Sequence, residues 1–316
     1  MTRFAEPPED DYAVIYLEDT DRPLPRSINP NTRYAYFKTI ARGGKSIIQS
    51  CRDMHLGRVI CYKSLRPEFR DDEIENRRFV REARVTASLQ HPNTVPTYEL
   101  GRDNQGNVYF TMKWVHGYTL RELLDYRERY DLSQLTDVLV QILNALQYAH
   151  GHRVVHRDVK PENILVGPFG EVLLLDWGLA KVWTRDGHGE EGVATEEEVD
   201  GDQAVSSITD AGKLQGTIAY MSPEQIRRDP NIDYATDIYS LGAVFYEILS
   251  GRTPGDGDTV DKMSKQILDG GFPPPSAVSR MAVPEHLDQL AMRCLATDPE
   301  ARISASDLIR LLQEEW

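Results

Sequence analysis

The segment at residues 155–163 constrains this chain more than any other. It reads Val-His-Arg-Asp-Val-Lys-Pro-Glu-Asn, and it is too short and too clearly interrupted by proline to be a helix. It brings together a carboxylate (Asp158), an ammonium (Lys160) and an amide (Asn163). Such a loop can hold a base beside a hydroxyl, a cation beside a phosphate and an amide oxygen beside a metal. A second carboxylate, Asp176, follows at the end of an apolar, strand-like run.

Size and composition limit the classes of protein that are possible. With 316 residues, 40% of them hydrophobic, the chain can bury the core of one large or two medium domains. Its formal net charge of -14 argues against nucleic acid or an anionic membrane as the main partner. Its three cysteines lack paired spacing and suggest neither a disulfide framework nor a zinc site. No signal peptide and no apolar run near the ~20 residues that span a bilayer are visible, so we expect a cytoplasmic protein.

The first part of the chain after a polar leader has the pattern of strands. Strand-like runs at 36–40 and 47–51 flank a tight, glycine-containing turn, Ala-Arg-Gly-Gly-Lys-Ser at 41–46, and predict two strands. Glycine in such a turn lets backbone amides approach a phosphate closely. A third strand, at 59–63, ends in Lys63.

A helix predicted at 74–89 supplies a partner for this lysine. Phe79 and Ala83 define an apolar face of the helix, and Glu82 lies beside that face. Glu82 can therefore point inward at Lys63. The alternative is that Glu82 is one more solvated charge on a helix that is rich in arginine.

These motifs, in this order, resemble those of the eukaryotic-like (Hanks-type) protein kinases, and most of all the bacterial serine/threonine kinases. The resemblance implies an α+β fold: the bilobal protein-kinase fold, with a small β-rich N-lobe that carries one key helix and a larger, mainly α-helical C-lobe. The implied regions are an acidic, proline-rich leader at 1–33, the N-lobe at 34–115, and the C-lobe at 116–316, with an activation segment at 176–224 that contains an acidic insertion at 185–202.

The resemblance also implies roles in phosphoryl transfer. Asp158 would orient the substrate hydroxyl or accept its proton, and Lys160 would neutralise the transferring phosphoryl group. Asn163 and Asp176 would hold Mg²⁺ (or Mn²⁺) between the phosphates of ATP. Lys160 followed by Pro161 is the serine/threonine form of the loop, so the expected substrates are serine and threonine hydroxyls of proteins.

For ATP, the resemblance implies that Lys63, held by Glu82, contacts the α and β phosphates. The remaining positions that the resemblance assigns to the nucleotide are Ile40, Ala41, Gly43, Ser46, Ile48, Cys61, Met112, Lys113 and Val115. The family's glycine-rich pattern is incomplete, since only Gly43 keeps its glycine and Ala41 and Ser46 replace the other two. This departure motivates an alternative: a pseudokinase, that is, a nucleotide-binding scaffold. A small-molecule kinase is a further, less favoured alternative.

Regulation is expected in the activation segment. Arg157 is the residue that would hold a phosphorylated segment, and Ser206, Ser207 and Thr209 are candidates for self-phosphorylation in trans or ordinary loop hydroxyls. Thr217 is expected to contact Asp158 and Lys160.

Three further contacts follow from the resemblance. Glu224 should pair with Arg302, Asp237 should support the catalytic loop, and Trp177 should stack on His156. Gly251 follows a predicted helix and is a helix-stop signal.

Overall fold

The computed structural model of this chain describes residues 32–183, 216–255 and 259–314. The contacts between these residues divide into two compact units. The smaller unit contains residues 32–90 and 94–117, and the larger contains residues 91–93 and the described residues from 118 onward. One unit is built on a β-sheet and the other is mainly helical, which confirms the predicted α+β class.

The smaller unit is an antiparallel sheet of five strands with one long helix. The strands, in the order β1-β2-β3-β5-β4, are β1 Tyr34–Arg42, β2 Ser46–Asp53, β3 Arg58–Leu65, β4 Thr97–Arg102 and β5 Val108–Lys113. The helix α1 spans Glu73–Ser88, and the Asp72 side chain accepts hydrogen bonds from the backbone N–H groups of its first turn. This N-cap satisfies donors that have no partner within the helix, which fixes the point where the helix begins.

The two faces of the sheet pack differently. Residues opposite each other in an antiparallel ladder share a face, so Lys63 and its partner Phe110 lie on the same side. Phe110 packs with Phe79 of α1 in one apolar cluster. The other face carries a second cluster, in which the rings of Tyr62 and Tyr109 stack with their centroids 4.6 Å apart. The helix therefore covers the face that presents Lys63.

One predicted strand begins later than expected. The alternation predicts a strand at 94–100, whereas β4 starts at Thr97. The Thr94 hydroxyl instead donates to the carbonyl of Leu89, 2.8 Å away, and closes the loop that follows α1. A side-chain bond of this kind competes with the ladder and delays the strand.

The larger unit consists of eight helices with short strands among the described residues. The helices are α2 Leu120–Leu124, α3 Leu132–Gly151, α4 Pro223–Ile226, α5 Ala235–Ser250, α6 Val260–Asp269, α7 Pro275–Val278, α8 Glu285–Cys294 and α9 Ala305–Glu314. The strands are β6 Tyr118–Thr119, β7 Val154–Val155, β8 Ile164–Val166, β9 Val172–Leu174 and β10 Lys181–Val182. None of the helices in the described ranges is long and apolar enough to cross a membrane.

The central helices follow from their apolar patterns. Helix α3 buries one stripe, including Leu135, Leu139 and Ile142, as its 3.6-residue period predicts. Helix α5 is buried along almost its whole length, since most of its residues are apolar and its carboxylates, Asp237 and Glu247, are hydrogen-bonded. Helix α6 was not predicted, because Met263 and Ile267 are its only buried residues and so the apolar signal is weak.

Gly251 ends helix α5 in the left-handed conformation, with φ 75°, and its N–H donates to the carbonyl of Glu247 at a distance of 2.8 Å. A Cβ added to Gly251 would meet no atom within 4 Å, so only the backbone conformation requires glycine there. This confirms the helix-stop signal in the sequence.

We expect Gly251→Ala to lower the free energy of unfolding by about 1 kcal/mol, because alanine is strained at positive φ. Gly151→Ala is the matched control, since a Cβ there also meets nothing within 4 Å and the residue lies in helix α3. The Gly151→Ala variant should have a free energy of unfolding equal to or higher than that of the wild type. Urea denaturation of both variants measures the difference, and equal stabilities would contradict the role assigned to φ.

Candidate functional site

Asp158, Lys160 and Asn163 lie together in the larger unit. Lys160 Nζ is 2.8 Å from both carboxylate oxygens of Asp158, and the Asn163 amide nitrogen donates to Asp158 Oδ2 at 2.9 Å and to the Asp158 carbonyl at 2.8 Å. Burial raises the pKa of Asp158 even though the adjacent ammonium acts in the opposite direction. The three residues predicted as catalytic therefore form one hydrogen-bonded group around a carboxylate.

The orientation of Asn163 leaves its amide oxygen available. Both groups that its side chain contacts are acceptors, so the NH₂ group must face them, and no protein partner for the oxygen is present among the described residues. The backbone carbonyl of Asn163 accepts from Leu175 N–H at 2.8 Å, which fixes the chain just before Asp176. Asp176 is exposed, and its charge contributes to the raised pKa of Asp158.

An amide oxygen and a carboxylate are ligands that suit Mg²⁺. No group of three or more His, Cys, Asp or Glu side chains in the described ranges is arranged to hold a metal on its own. Asn163 and Asp176 therefore fit an ion that keeps several waters and takes its other ligands from substrate phosphates, as Mg²⁺ usually does.

A buried carboxylate of helix α5 supports the loop that carries Asp158. Asp237 is fully buried and accepts from the backbone N–H of His156 at 2.9 Å, from the N–H of Arg157 at 2.8 Å, and contacts His150 Nε2 at 2.8 Å. Burial alone would raise the pKa of Asp237, but these hydrogen bonds and the nearby histidines lower it. The structure thus shows the contact between Asp237 and the loop that the sequence suggests.

Trp177 packs against the same loop. Its ring lies edge-on to His156 with centroids 4.5 Å apart, and His156 Nε2 is 2.9 Å from the Leu175 carbonyl. The two residues are therefore in contact as expected, but the predicted stacking is wrong, because the rings meet at an interplanar angle of 63°. The indole N–H of Trp177 is buried and has no hydrogen-bond partner among the described residues. An unpaired buried donor costs about 1–3 kcal/mol, which the packing of the large ring must offset.

In the smaller unit, Lys63 and Glu82 form an ion pair. Lys63 Nζ is 2.5 Å from Glu82 Oε1, and the side chains are only 8% and 12% exposed. The ammonium also lies 5.7 Å from the centre of the Phe110 ring. The interpretation of Glu82 as a solvated charge is therefore wrong, because its carboxylate is buried against the lysine.

Several positions predicted to bind ATP share the face of the sheet that carries Lys63. The ladder pairs Ile48 with Lys63, Cys61 with Met112 and Ala41 with Ile48, and paired residues point to the same side. Ile48, Cys61 and Met112 are half-buried, and burial raises the pKa of the Cys61 thiol to about 12, so that the thiol is neutral.

The other predicted ATP positions have different surroundings. Lys113 pairs with Ile60 and lies on the opposite face of the sheet. Ile40 is exposed at an irregularity of β1, and Val115 follows the end of β5. For these residues the prediction rests on the backbone or on the resemblance and not on a shared side-chain face.

The turn between β1 and β2 does not depend on a full glycine pattern for its own conformation. Gly43 N–H donates to the Ser46 carbonyl at 2.9 Å, and the φ of Gly43 is not positive. A Cβ at Gly43 would lie 3.4 Å from Ser46 Oγ, an ordinary contact. Ala41 and Ser46 lie within β1 and β2, where a side chain causes no strain.

Two contacts of this turn were missed in the sequence. Lys45 Nζ is 2.7 Å from Glu75 Oε1 of α1, and Arg66 donates to the Gly44 carbonyl at 3.0 Å. These charges looked like ordinary surface residues, and nothing in the local sequence pairs residues so far apart. The turn is therefore tied both to the helix and to the residue that follows strand β3.

Comparison with known proteins gives the family. The profile of the protein kinase domain matches residues 34–316. The chain belongs to the protein kinase family. This confirms the resemblance on which the assignment of the motifs depends.

Relatives in the kinase family include bacterial serine/threonine-protein kinases. The chain is 33% identical to PknD of Chlamydia felis (strain Fe/C-56), over 86% of this chain and 30% of that protein. It is 34% identical to PknD of Protochlamydia amoebophila (strain UWE25), over 88% of this chain and 29% of that protein. It is 36% identical to PknL of Mycobacterium tuberculosis (strain ATCC 25618 / H37Rv), over 86% of this chain and 62% of that protein. The chain therefore spans less than a third of the PknD relatives and under two thirds of PknL.

The predicted regulatory residues of this kinase-family chain are only partly described. Ser206, Ser207 and Thr209, like the acidic insertion, lie outside the described residues. Arg157 has a positive φ of 67°, and its Nε donates to the Leu179 carbonyl at 2.6 Å. Thr217 is described, but within the described ranges it makes no side-chain hydrogen bond to Asp158 or Lys160. Its contact with these two residues, and its role, remain predictions.

The expected pair of Glu224 and Arg302 is present and buried. The guanidinium of Arg302 donates through NH1 and NH2 to the two oxygens of Glu224 at 2.6 and 2.7 Å. Burial by itself would raise the pKa of Glu224, but the paired guanidinium lowers it. This two-point contact links the end of the activation segment to the loop before α9.

We expect Glu224→Gln to destabilise the fold by about 3–5 kcal/mol at pH 7, because it leaves Arg302 buried without a counter-ion. The pKa of Glu224 is lowered in the folded state, so its stabilising effect is present above the unfolded pKa and is lost as the pH falls through the folded pKa. Denaturant titrations at pH 7 and in acid should therefore show the wild type and the variant converging at low pH.

Glu314→Gln is the matched control, since Glu314 also pairs with an arginine, Arg310, but on the surface. Its effect should stay below about 1 kcal/mol. Equal losses in the two variants at pH 7 would contradict the importance of burial for the Glu224 pair.

Proposed function

We propose that this chain is an ATP-dependent serine/threonine protein kinase. The observation that carries the proposal is the group around Asp158, in which a partly desolvated carboxylate is held by an ammonium and an amide. The names of the PknD and PknL relatives support the same activity, which is a proposal here because the chain spans only part of their length.

In the proposed mechanism, Asp158 orients the substrate hydroxyl and accepts its proton. Burial raises the pKa of Asp158, and a higher pKa makes a carboxylate a better proton acceptor. Lys160, whose ammonium lies 2.8 Å from the same carboxylate, neutralises charge on the transferring phosphoryl group. The acceleration comes mainly from positioning and from charge neutralisation.

For the cofactors, we propose that ATP and Mg²⁺ (or Mn²⁺) are used. The free amide oxygen of Asn163 and the exposed carboxylate of Asp176 would hold the metal, which supplies charge neutralisation on the phosphates. Lys63, fixed by Glu82, would contact the α and β phosphates. Ala41, Ile48, Cys61 and Met112 share a face with Lys63 and would contact the nucleotide, together with Ile40, Gly43, Ser46, Lys113 and Val115 as predicted.

The expected partners are proteins with serine or threonine acceptors, including a second copy of this chain through phosphorylation in trans. Ser206, Ser207 and Thr209 remain the proposed sites, with Arg157 and Thr217 as the residues that would respond. The described cysteines form no disulfide, which supports a reducing compartment such as the cytoplasm as the proposed location. No observation favours the pseudokinase alternative.

The test is transfer of labelled phosphate from ATP and Mg²⁺ to the chain itself. We expect Asp158→Asn to lower the rate by about 10²–10⁴-fold, the usual contribution of a general base. Asp269→Asn, at an exposed position of α6, is the matched control and should be unaffected. Tagged Asp158→Asn protein that is labelled by wild type would establish transfer in trans. A wild type that transfers no label, or an Asp158→Asn variant as active as wild type, would refute the proposal.

A further inference from the structure

A cavity of about 260 Å³ lies in the larger unit beside the catalytic loop. Its apolar wall includes Ala219, Tyr220 and Met263, and its polar rim includes Arg121 and Glu162. Glu162 is the residue before Asn163, whose amide contacts Asp158. A substrate side chain that enters this cavity must therefore belong to a residue within a few positions of the acceptor hydroxyl, because an extended chain advances only about 3.3 Å per residue.

Two residues that line the cavity, Arg121 and Tyr220, belong to a partly buried charge network. Arg121 NH2 donates to Glu247 Oε1 at 2.6 Å and to the Tyr220 hydroxyl at 3.2 Å. Tyr220 in turn donates to Glu247 Oε2 at 2.6 Å. Burial and the adjacent Glu247 carboxylate raise the pKa of Tyr220, so its hydroxyl is protonated and can donate. Glu247 therefore has a hydrogen-bond donor at each oxygen.

Glu162 is the second carboxylate that faces the same guanidinium. Its Oε1 lies 3.5 Å from Arg121 Nε, and that Nε is buried without a hydrogen bond among the described residues. The Glu162 side chain is 46% exposed. Two carboxylates thus share one cation, and only Glu247 is hydrogen-bonded to it. Arg121 balances the charge of Glu162, but the carboxylate oxygens of Glu162 can still accept hydrogen bonds from another group.

We propose that Arg121 is a specificity-determining residue that occupies the place where a basic side chain of the substrate would otherwise bind. This inference rests on the proposed function, since it names the substrate class of the same site. With Arg121 present, the cavity offers an apolar wall and a Glu162 carboxylate whose charge Arg121 neutralises. This lining favours an uncharged side chain. Without Arg121, Glu162 and Glu247 face the cavity with no counter-ion and attract a guanidinium or an ammonium.

The main test compares wild type with Arg121→Gln on a positional-scanning library of peptides that carry a fixed serine acceptor. Phosphate transfer is measured for arginine against norleucine at each position near the serine. We expect the ratio of arginine to norleucine to rise about tenfold in Arg121→Gln at a single position, the size expected for one partly exposed charge-assisted contact. Arg310→Gln, an exposed arginine outside the cavity, should leave the ratio unchanged.

A second pair of variants separates specificity from loss of folding. Arg121→Lys keeps a cation for Glu247 but loses the Nε that faces Glu162, so it should fold and show a smaller gain for arginine, about threefold. Adding Glu162→Gln to Arg121→Gln should abolish the gain, because the freed carboxylate is removed. Melting temperatures of all variants show whether each is folded.

A binding readout distinguishes failure of this inference from failure of the proposed kinase activity. N-acetyl-arginine methylamide should raise the melting temperature of Arg121→Gln, but not that of wild type or of Arg121→Gln/Glu162→Gln. This result supports the inference even if the chain transfers no phosphate. A wild type that already prefers arginine at that position, or an unchanged ratio and no thermal shift in Arg121→Gln, would overturn it.

Discussion

The loop that carries Asp158 is held by one buried carboxylate, that of Asp237. Asp237 lies on helix α5, the most completely buried helix of the larger unit, and accepts from two consecutive backbone N–H groups of the loop at His156 and Arg157. Arg157 adopts a positive φ, a conformation that a non-glycine residue rarely takes unless its surroundings hold it. Helix α5 therefore fixes the backbone just before Asp158, while Lys160 and Asn163 of the loop hold its carboxylate.

Each of the two units also contains a buried ion pair. Lys63 and Glu82 meet in the smaller unit, and Glu224 and Arg302 meet in the larger one. Burying a charge is costly unless the partner is close and well oriented. Both pairs join residues that are distant in the chain, so each pair forms only when the tertiary structure brings its two residues together. Arg121 and Glu247 form a further, partly buried pair, and Arg121 lines the proposed substrate cavity.

The incomplete glycine pattern has a local explanation. Its remaining glycine, Gly43, is not in a left-handed conformation, and the turn is held by Lys45 and Arg66 through contacts with Glu75 and the Gly44 carbonyl. Alanine and serine at the flanking positions lie in strands. Backbone strain therefore gives no reason to interpret the departure from the pattern as a loss of nucleotide binding.

The sequence by itself determined the features that depend on neighbouring residues. The pattern Thr-Leu-Arg-Glu at 119–122 predicts a capping box, which begins α2, and Gly251 predicts the end of α5. The order of the motifs indicates the family. The sequence could also suggest Glu82 as the partner of Lys63, because helical periodicity places Glu82 beside the apolar face of Phe79 and Ala83. Tertiary structure alone decided that β4 starts late, that Lys45 contacts Glu75, and that Arg121 contacts Glu247 and Glu162. The physical reason is that a charged side chain has several possible partners along the chain, and only the packed fold selects among them.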